Sequence, residues 1–471
     1  MSSGIISKGA RQLVDELQGG SLEASKVFET YRKRINELTK LNAFITSLEY
    51  KPNARKEGSL YGLPLAIKDN ISTEGIRTTC ASLMLKDYMP PYDATAVAKL
   101  KAAGVSILGK TNMDEFGMGS SGENSAFGPT RNPWDIERVP GGSSSGSAVA
   151  VSARLSPAAL GTDTGGSIRA PASFTGTVGF KPSYGYVSRY GLIAYANSLE
   201  QIGVIARTVD DVALIFGVIR GKDRFDSTST DAKPVTGNTG RLSSEGHFKG
   251  ALLPQLSDLV SKDVREAFDS SVAKLDSEGI EFAEERVEEL ELALKSYYVV
   301  ACCEATTNLA RYDGVRYGPA ADPSRDWKSA ISESRTMFGK EVKARIMLGS
   351  YMLSSGYYEE YYLKALYIRR NLKLRLLKLS ESYDFIYTPT MPVLPWKIGE
   401  MIDDPLQVYL SDALTVIANL TGAPAISIPI ALKKGLPVGG QLQGRYGLDD
   451  RLLELAATIS GLLKFRGEPS I

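Results

Sequence analysis

Three short segments of this 471-residue chain hold residues that could carry out acyl transfer. They are Gly62-Leu63-Pro64-Leu65-Ala66-Ile67-Lys68-Asp69-Asn70, Pro140-Gly141-Gly142-Ser143-Ser144-Ser145-Gly146-Ser147 and Gly161-Thr162-Asp163-Thr164-Gly165-Gly166-Ser167-Ile168-Arg169. Singly, each has a plain reading: a solvated lysine, a Ser/Gly turn, a helix N-cap. Together they supply a base, hydroxyls and close-approaching backbone. A serine hydroxyl is a weak nucleophile and must lose its proton as it attacks. Histidine usually takes that proton, but the chain has one histidine, His247, in a polar stretch that reads as a surface loop. Histidine triads and multi-histidine metal centres are thereby set aside. A neutral lysine can serve instead, and burial beside an apolar strand favours the neutral amine. Lys68 closes the apolar run Leu63–Ile67 and is the candidate base, with a second serine relaying the proton from Ser167. The backbone N–H groups of Thr164, Gly165, Gly166 and Ser167 can form an oxyanion hole, because glycine lets the backbone approach a substrate closely.

Two other patterns mislead. Gly104-Val105-Ser106-Ile107-Leu108-Gly109-Lys110-Thr111 fits the phosphate-loop expression, yet its middle residues read as a strand preceded by a helix. A phosphate loop needs the reverse order, with a loop between strand and helix. Gly142-Ser143-Ser144-Ser145-Gly146 fits the nucleophile-elbow expression around Ser144. Turn-like residues precede it, and His247 is poorly placed to complete an α/β-hydrolase triad.

The second and third segments resemble the signature of the amidase signature family, a long and specific motif. That resemblance implies a Ser–cis-Ser–Lys triad, with Ser167 as nucleophile, Ser143 as the cis-serine and Lys68 as base. The separations of 75 and 24 residues (68 to 143 to 167) match the family pattern. Ser145 departs from it, standing where glycine is more common. Outside the signature, Met113–Gly119, Lys181–Gly185, Asn308–Gly314, Arg345–Gly349 and Ala418–Ala425 resemble the A-subunit branch of the family, from the tRNA-dependent amidotransferases.

The branch implies a glutaminase that works through a glutamyl ester. Its ammonia would pass to a B subunit that holds ATP and Mg, contacts the misacylated tRNA and amidates it, with a small C subunit beside both. The resemblance places Arg345 on the α-carboxylate of glutamine, Asp412 on its α-ammonium, and Tyr297 in the pocket wall. Pattern alone would not select these three; Arg345 reads equally as a solvated helix face. A free-standing amidase and a catalytically silent scaffold remain the alternatives, and the acceptor stays open between Glu-tRNA(Gln) and Asp-tRNA(Asn).

The elements that must position these groups read as α/β. Residues 8–38 predict two helices, with Ser21 capping the second. A helix over 94–103, closed by Gly104, leads into the strand Val105–Leu108. Helices are expected over 262–278, much of 285–310 and 358–380, and a strand at Phe385–Thr388. Ala425–Ile430 and Val438–Gln443 read as paired strands. The expected architecture is a single domain over 1–471, one large mixed sheet covered by helices on both faces. Its signature core spans about 60–220, and 225–248 reads as a loose loop.

Composition narrows function further. The 55 basic and 54 acidic residues leave no basic excess for gripping nucleic acid, so a partner is expected to hold any RNA. Three cysteines without metal-ligand spacing (Cys80, Cys302 and Cys303) argue against a disulfide framework or a zinc site. No leader or membrane-spanning run is apparent, so a cytoplasmic protein is expected, with no metal and no cofactor of its own.

Overall fold

The computed structural model describes residues 2–51, 58–231, 248–319, 326–401 and 405–471. One sheet of eleven strands runs through it: β1 (Phe44–Ser47), β2 (Pro64–Lys68), β3 (Ser106–Thr111), β4 (Ala158–Asp163), β5 (Val178–Lys181), β6 (Gln201–Ala206), β7 (Lys249–Leu252), β8 (Glu281–Glu284), β9 (Phe385–Pro389), β10 (Ala425–Lys433) and β11 (Leu436–Gln443). Their spatial order is β1-β3-β2-β4-β6-β5-β10-β11-β9-β7-β8. The sheet is mixed: β2 runs parallel to β3 and β4, and β7 to β8 and β9, while the remaining pairs are antiparallel. Helices flank both faces, as expected. Helices Ser145–Ser152 and Arg169–Thr175 pack together, and Val209–Ile219, Asp449–Leu463 and Lys262–Ser277 form another group.

The central strands β2, β4, β5 and β6 are buried along their whole length. Near-continuous apolar runs suit strands covered on both faces. Helix Ser145–Ser152 is likewise buried at every position, which its Ser, Gly, Ala and Val side chains permit. All three cysteines are free and buried. No helix among the described residues is long and apolar enough to cross a membrane.

The two helices expected over 8–38 form at Ala10–Gln18 and Ala24–Glu37, preceded by a short helix at Ser2–Ile6. Several local expectations need correction. Ser21 does not cap the helix Ala24–Glu37. Its hydroxyl donates to Glu16 O and helps close the preceding helix, while Glu23 occupies the N-cap position without a side-chain bond. The strand expected at Val105–Leu108 runs on to Thr111, because pairing with β1 and β2 carries it through the glycine. The helix expected over 358–380 splits into a π-helical turn at Glu359–Leu363 and an α-helix at Lys364–Leu379. Of the loop expected over 225–248, residues 232–247, including His247, lie outside the described residues.

The phosphate-loop look-alike is structural. Lys110 is buried in β3 and donates to Ile71 O at 2.6 Å and Thr78 Oγ1 at 2.7 Å. It has no loop in which to cradle a phosphate.

Candidate active site

Lys68 is the last residue of β2, where the sheet is hydrogen-bonded on both sides and water is excluded. Its amine donates to Ser143 Oγ at 2.7 Å, Thr162 Oγ1 at 2.8 Å, Ser144 Oγ at 2.9 Å and Thr162 O at 3.4 Å. Burial pulls this lysine from 10.5 down to about 7, against the opposing pull of Asp114 and Asp163. Desolvation penalises the ammonium, and nearby carboxylates recover only part of the loss. The amine is therefore poised to exchange a proton near neutrality.

The serine loop is held from below by Asp114. Its N–H donates to Ser143 O at 3.2 Å, and its carboxylate accepts from the N–H groups of Gly122 and Asn124. Gly142 has to be glycine, because a Cβ there would lie 1.8 Å from Asp114 Oδ2. The Gly142–Ser143 peptide is cis. Ser144 also touches Lys68, but it donates its own hydrogen to Thr162 O at 3.1 Å. Ser143 Oγ has no partner besides Lys68 among the described residues, which leaves it able to turn toward a third hydroxyl. Ser145, the departure from the family pattern, bonds Thr130 Oγ1 at 3.1 Å and stays outside the lysine cluster.

The turn carrying Ser167 is shaped by one buried carboxylate. Asp163, ending β4, accepts from Gly166 N–H (2.9 Å), Ile168 N–H (3.1 Å), Arg169 Nε (3.0 Å), Arg169 Nη2 (2.9 Å) and Asn419 Nδ2 (2.9 Å). Burial alone would raise this carboxyl, but the charge and hydrogen bonds of Arg169 outweigh it and hold it well below the usual range. The carboxylate winds residues 164–168 around itself. Ser167 O in turn accepts from Ser144 N–H at 3.0 Å, docking the turn onto the serine loop.

The side chain of Ser167 is 8% exposed and makes no hydrogen bond among the described residues. The link from Lys68 to Ser143 is thus formed, whereas the link from Ser143 to Ser167 is open. Catalytic hydrogen bonds often tighten only once substrate is bound. Of the four amides expected in an oxyanion hole, that of Gly166 is spent on Asp163, leaving Thr164, Gly165 and Ser167 as candidate donors.

Of the three expected pocket residues, Tyr297 packs on this turn, Asp412 is joined to it through Thr415, and Arg345 meets Asp412 only through Tyr298. Tyr297 lies against Gly165, where a Cβ would be 2.4 Å from its phenol oxygen. Asp412 is buried and accepts from Ser120 Oγ at 2.8 Å and Tyr298 OH at 2.7 Å; burial pushes its carboxyl up to about 6. Arg345 is only 2% exposed, which removes the solvated-face reading. It pairs with Glu341 at 2.7 Å and donates to Tyr195 OH at 2.5 Å, amid the rings of Tyr195, Tyr298 and Tyr409. Arginine suits such a cage because its weakly hydrated, planar head stacks on aromatic faces.

Sequence reasoning missed Tyr195, Tyr298, Tyr409, Ser120 and Asn419. Glu341, one helical turn before Arg345, was missed as well, although its i, i+4 spacing was a readable signal. Among the described residues no group of three or more His, Cys, Asp or Glu side chains could hold a metal.

Known proteins with this architecture point the same way. The A subunit of the glutamyl-tRNA(Gln) amidotransferase of Saccharolobus solfataricus is 50% identical over 459 residues, covering 95% of both chains. The crystal structure of the corresponding A subunit from Thermotoga maritima, also of a glutamyl-tRNA(Gln) amidotransferase, matches with a TM-score of 0.82 at 41% identity, over 97% of this chain and 94% of that one. A 6-aminohexanoate cyclic dimer hydrolase bound to substrate matches with a TM-score of 0.84 at 26% identity, over 99% of each. Since the amidase family model also matches residues 25–453, the greater part of its length, the chain belongs to the amidase family.

Proposed function

We propose that this chain is the glutaminase subunit of a tRNA-dependent amidotransferase, releasing ammonia from glutamine at Ser167. The observation that carries the reading is a caged cation, Arg345, and a buried carboxylate, Asp412, held apart on either side of Tyr298. A free amino acid presents a carboxylate and an ammonium, and each needs an opposite charge where water is excluded. A hydrolase of simple amides has no use for both. The extent of identity with the amidotransferase relatives supports the same reading.

In this mechanism the neutral amine of Lys68 takes a proton from Ser143, while Ser143 takes one from Ser167. Ser167 Oγ attacks the side-chain carbonyl carbon of glutamine, and the oxyanion meets the free amides of the 164–167 turn. Preorganised donors of this kind act most strongly where charge develops in the transition state. The C–N bond then breaks, and the proton held by Lys68 returns through Ser143 to the departing nitrogen, releasing ammonia. Water, deprotonated along the same relay, opens the glutamyl ester to give glutamate and free Ser167.

Ammonia would then pass to a B subunit, which binds ATP and Mg, contacts the misacylated tRNA and forms the new amide; a small C subunit would complete the complex. The setting that fits this partnership is the cytoplasm.

The second reading is a free-standing amidase, favoured by the close fold match to the 6-aminohexanoate cyclic dimer hydrolase. Intact-mass measurement after brief exposure to a glutamine-like electrophile separates the two. An adduct on the wild type and none on Ser167→Ala is expected. Labelling by an unrelated amide-like probe but not by the glutamine analogue would replace this reading with the free-standing amidase. Unchanged glutaminase activity of the complex with Ser167→Ala would leave only the scaffold.

A further inference from the structure

Arg345 and Asp412 are not within ion-pair distance of one another, so something else fixes their separation. Tyr298 lies between them. Its ring packs against the Arg345 guanidinium, with 5.2 Å from the ring centroid to the arginine carbon, and its hydroxyl donates to Asp412 Oδ2 at 2.7 Å. The same ring stacks on Tyr409, centroids 4.3 Å apart and planes inclined by 30°. Tyr409 OH donates to Glu341 Oε1 at 2.8 Å, the oxygen that also pairs with Arg345 Nε. The contacts close a loop from Arg345 through Tyr298, Tyr409 and Glu341 back to Arg345, with Asp412 attached at the Tyr298 hydroxyl.

We infer that Tyr298 is a positioning residue that sets the distance between the cationic and anionic poles of the pocket, and so selects amides of α-amino acids over amides lacking the amine. This rests on the glutamine reading above. A phenol suits this role because its ring offers a face to the guanidinium while its edge carries a donor for the carboxylate. Burial raises the Tyr298 hydroxyl well above its ordinary value, which keeps it a donor at neutral pH. Tyr297, its neighbour in the same helix, packs on the Gly165 turn instead.

Tyr298→Phe keeps the ring and removes only the link to Asp412. The charged and titratable groups around Asp412 are Arg345, Tyr297, Tyr298 and Asp163, with Ser120 the other hydroxyl donor. Losing one of two donors to Oδ2 leaves the carboxyl easier to protonate, and a protonated Asp412 no longer attracts an ammonium.

The test compares glutamine with glutaramic acid, which keeps the carboxylate and the amide but lacks the amine, using the chain with its partner subunits. For the wild type, KM is expected to be lower for glutamine. In Tyr298→Phe the glutamine KM should rise about tenfold, the worth of one charge-assisted hydrogen bond. The acid limb of that KM should move about one pH unit upward, and kcat for either substrate should change about twofold or less.

Ser120→Ala, which removes the other donor, should shift glutamine KM in the same direction. It serves as the second variant if Tyr298→Phe folds poorly. A glutamine KM unmoved in both variants would overturn the inference while leaving the glutamine reading standing. So would an equal fall in kcat for both substrates, the mark of a merely structural role. A wild type that does not distinguish the two substrates would overturn the glutamine reading, and this inference with it.

Discussion

Replacing Thr162 by valine removes one hydroxyl from the shell around Lys68 while keeping the shape of the β4 end. The ammonium of Lys68 has three hydrogens to place, and three hydroxyls at 2.7–2.9 Å receive them. The neutral amine has only two, so deleting an acceptor penalises the protonated form. A hydrogen bond to a charged group contributes about 1.5–3 kcal/mol, or roughly one to two pH units. Thr162 O, at 3.4 Å, can recover part of this, which favours the lower end of the range.

In the wild type the acylation rate should rise with pH around the lysine's value of about 7 and level off above it. The sign follows from the direction of the shift: the active neutral form is populated above that value and lost as pH falls through it. At pH 7 the neutral fraction is about a thousandfold greater than in a solvated lysine titrating at 10.5. In Thr162→Val the limb should move toward acid by about one unit, and the plateau should drop, because a less basic amine is a poorer proton acceptor.

Single-turnover ammonia release across the pH range measures both quantities. Burial also raises the carboxyls of Asp114 and Glu200 to about 7, so Lys68→Ala is the necessary control. A limb that stays put or moves toward alkali in Thr162→Val would refute the argument. So would a limb that survives intact in Lys68→Ala. Some loss of stability is expected alongside, since Asn70 Nδ2 also donates to Thr162 Oγ1 and would lose that acceptor.

Gly165→Ala should lower kcat by about a hundredfold or more, because its Cβ would press within 2.4 Å of the Tyr297 ring and displace the turn that carries both nucleophile and oxyanion donors. Near-normal turnover in that variant would show that the turn is not rigidly placed. Arg169→Lys should destabilise the fold by about 3–5 kcal/mol in urea titrations, since one ammonium cannot reproduce the forked bonds to Asp163 together with those to Thr415 O, Gln441 and Asn419. A loss of less than about 1 kcal/mol would mean that a point charge is sufficient there.

Much of the chemistry was legible in the sequence because it is written in local patterns. An apolar run of strand length ending in lysine predicts a buried amine, and β2 delivers one. The two paired strands near the C-terminus were readable from their turn and their β-branched and apolar residues, and they pair as β10 and β11. The failures were local too, but they depended on neighbours. Ser21 looked like a cap from its type alone, whereas its hydroxyl was claimed by the end of the previous helix. The strand at Val105 extended past Gly109 because partners on both sides offered hydrogen bonds.

By itself, then, the sequence pointed away from histidine and toward a lysine and glycine-flanked serines as the candidate reactive groups, and it determined that they stand on an α/β frame. Residue types alone left open which of three consecutive serines meets Lys68, and only the family resemblance singled out Ser143. The fold brings both Ser143 and Ser144 to the amine, with Ser144 giving its own hydrogen to Thr162 O and Ser143 making no further bond among the described residues. The sequence could not foresee that Arg345 is buried. The tyrosines that cage it come from positions 195, 298 and 409, far apart in the chain. Periodicity reports which face of an element is apolar, but a charge enclosed by groups from separate elements leaves no periodic trace, and only the packed fold brings them together.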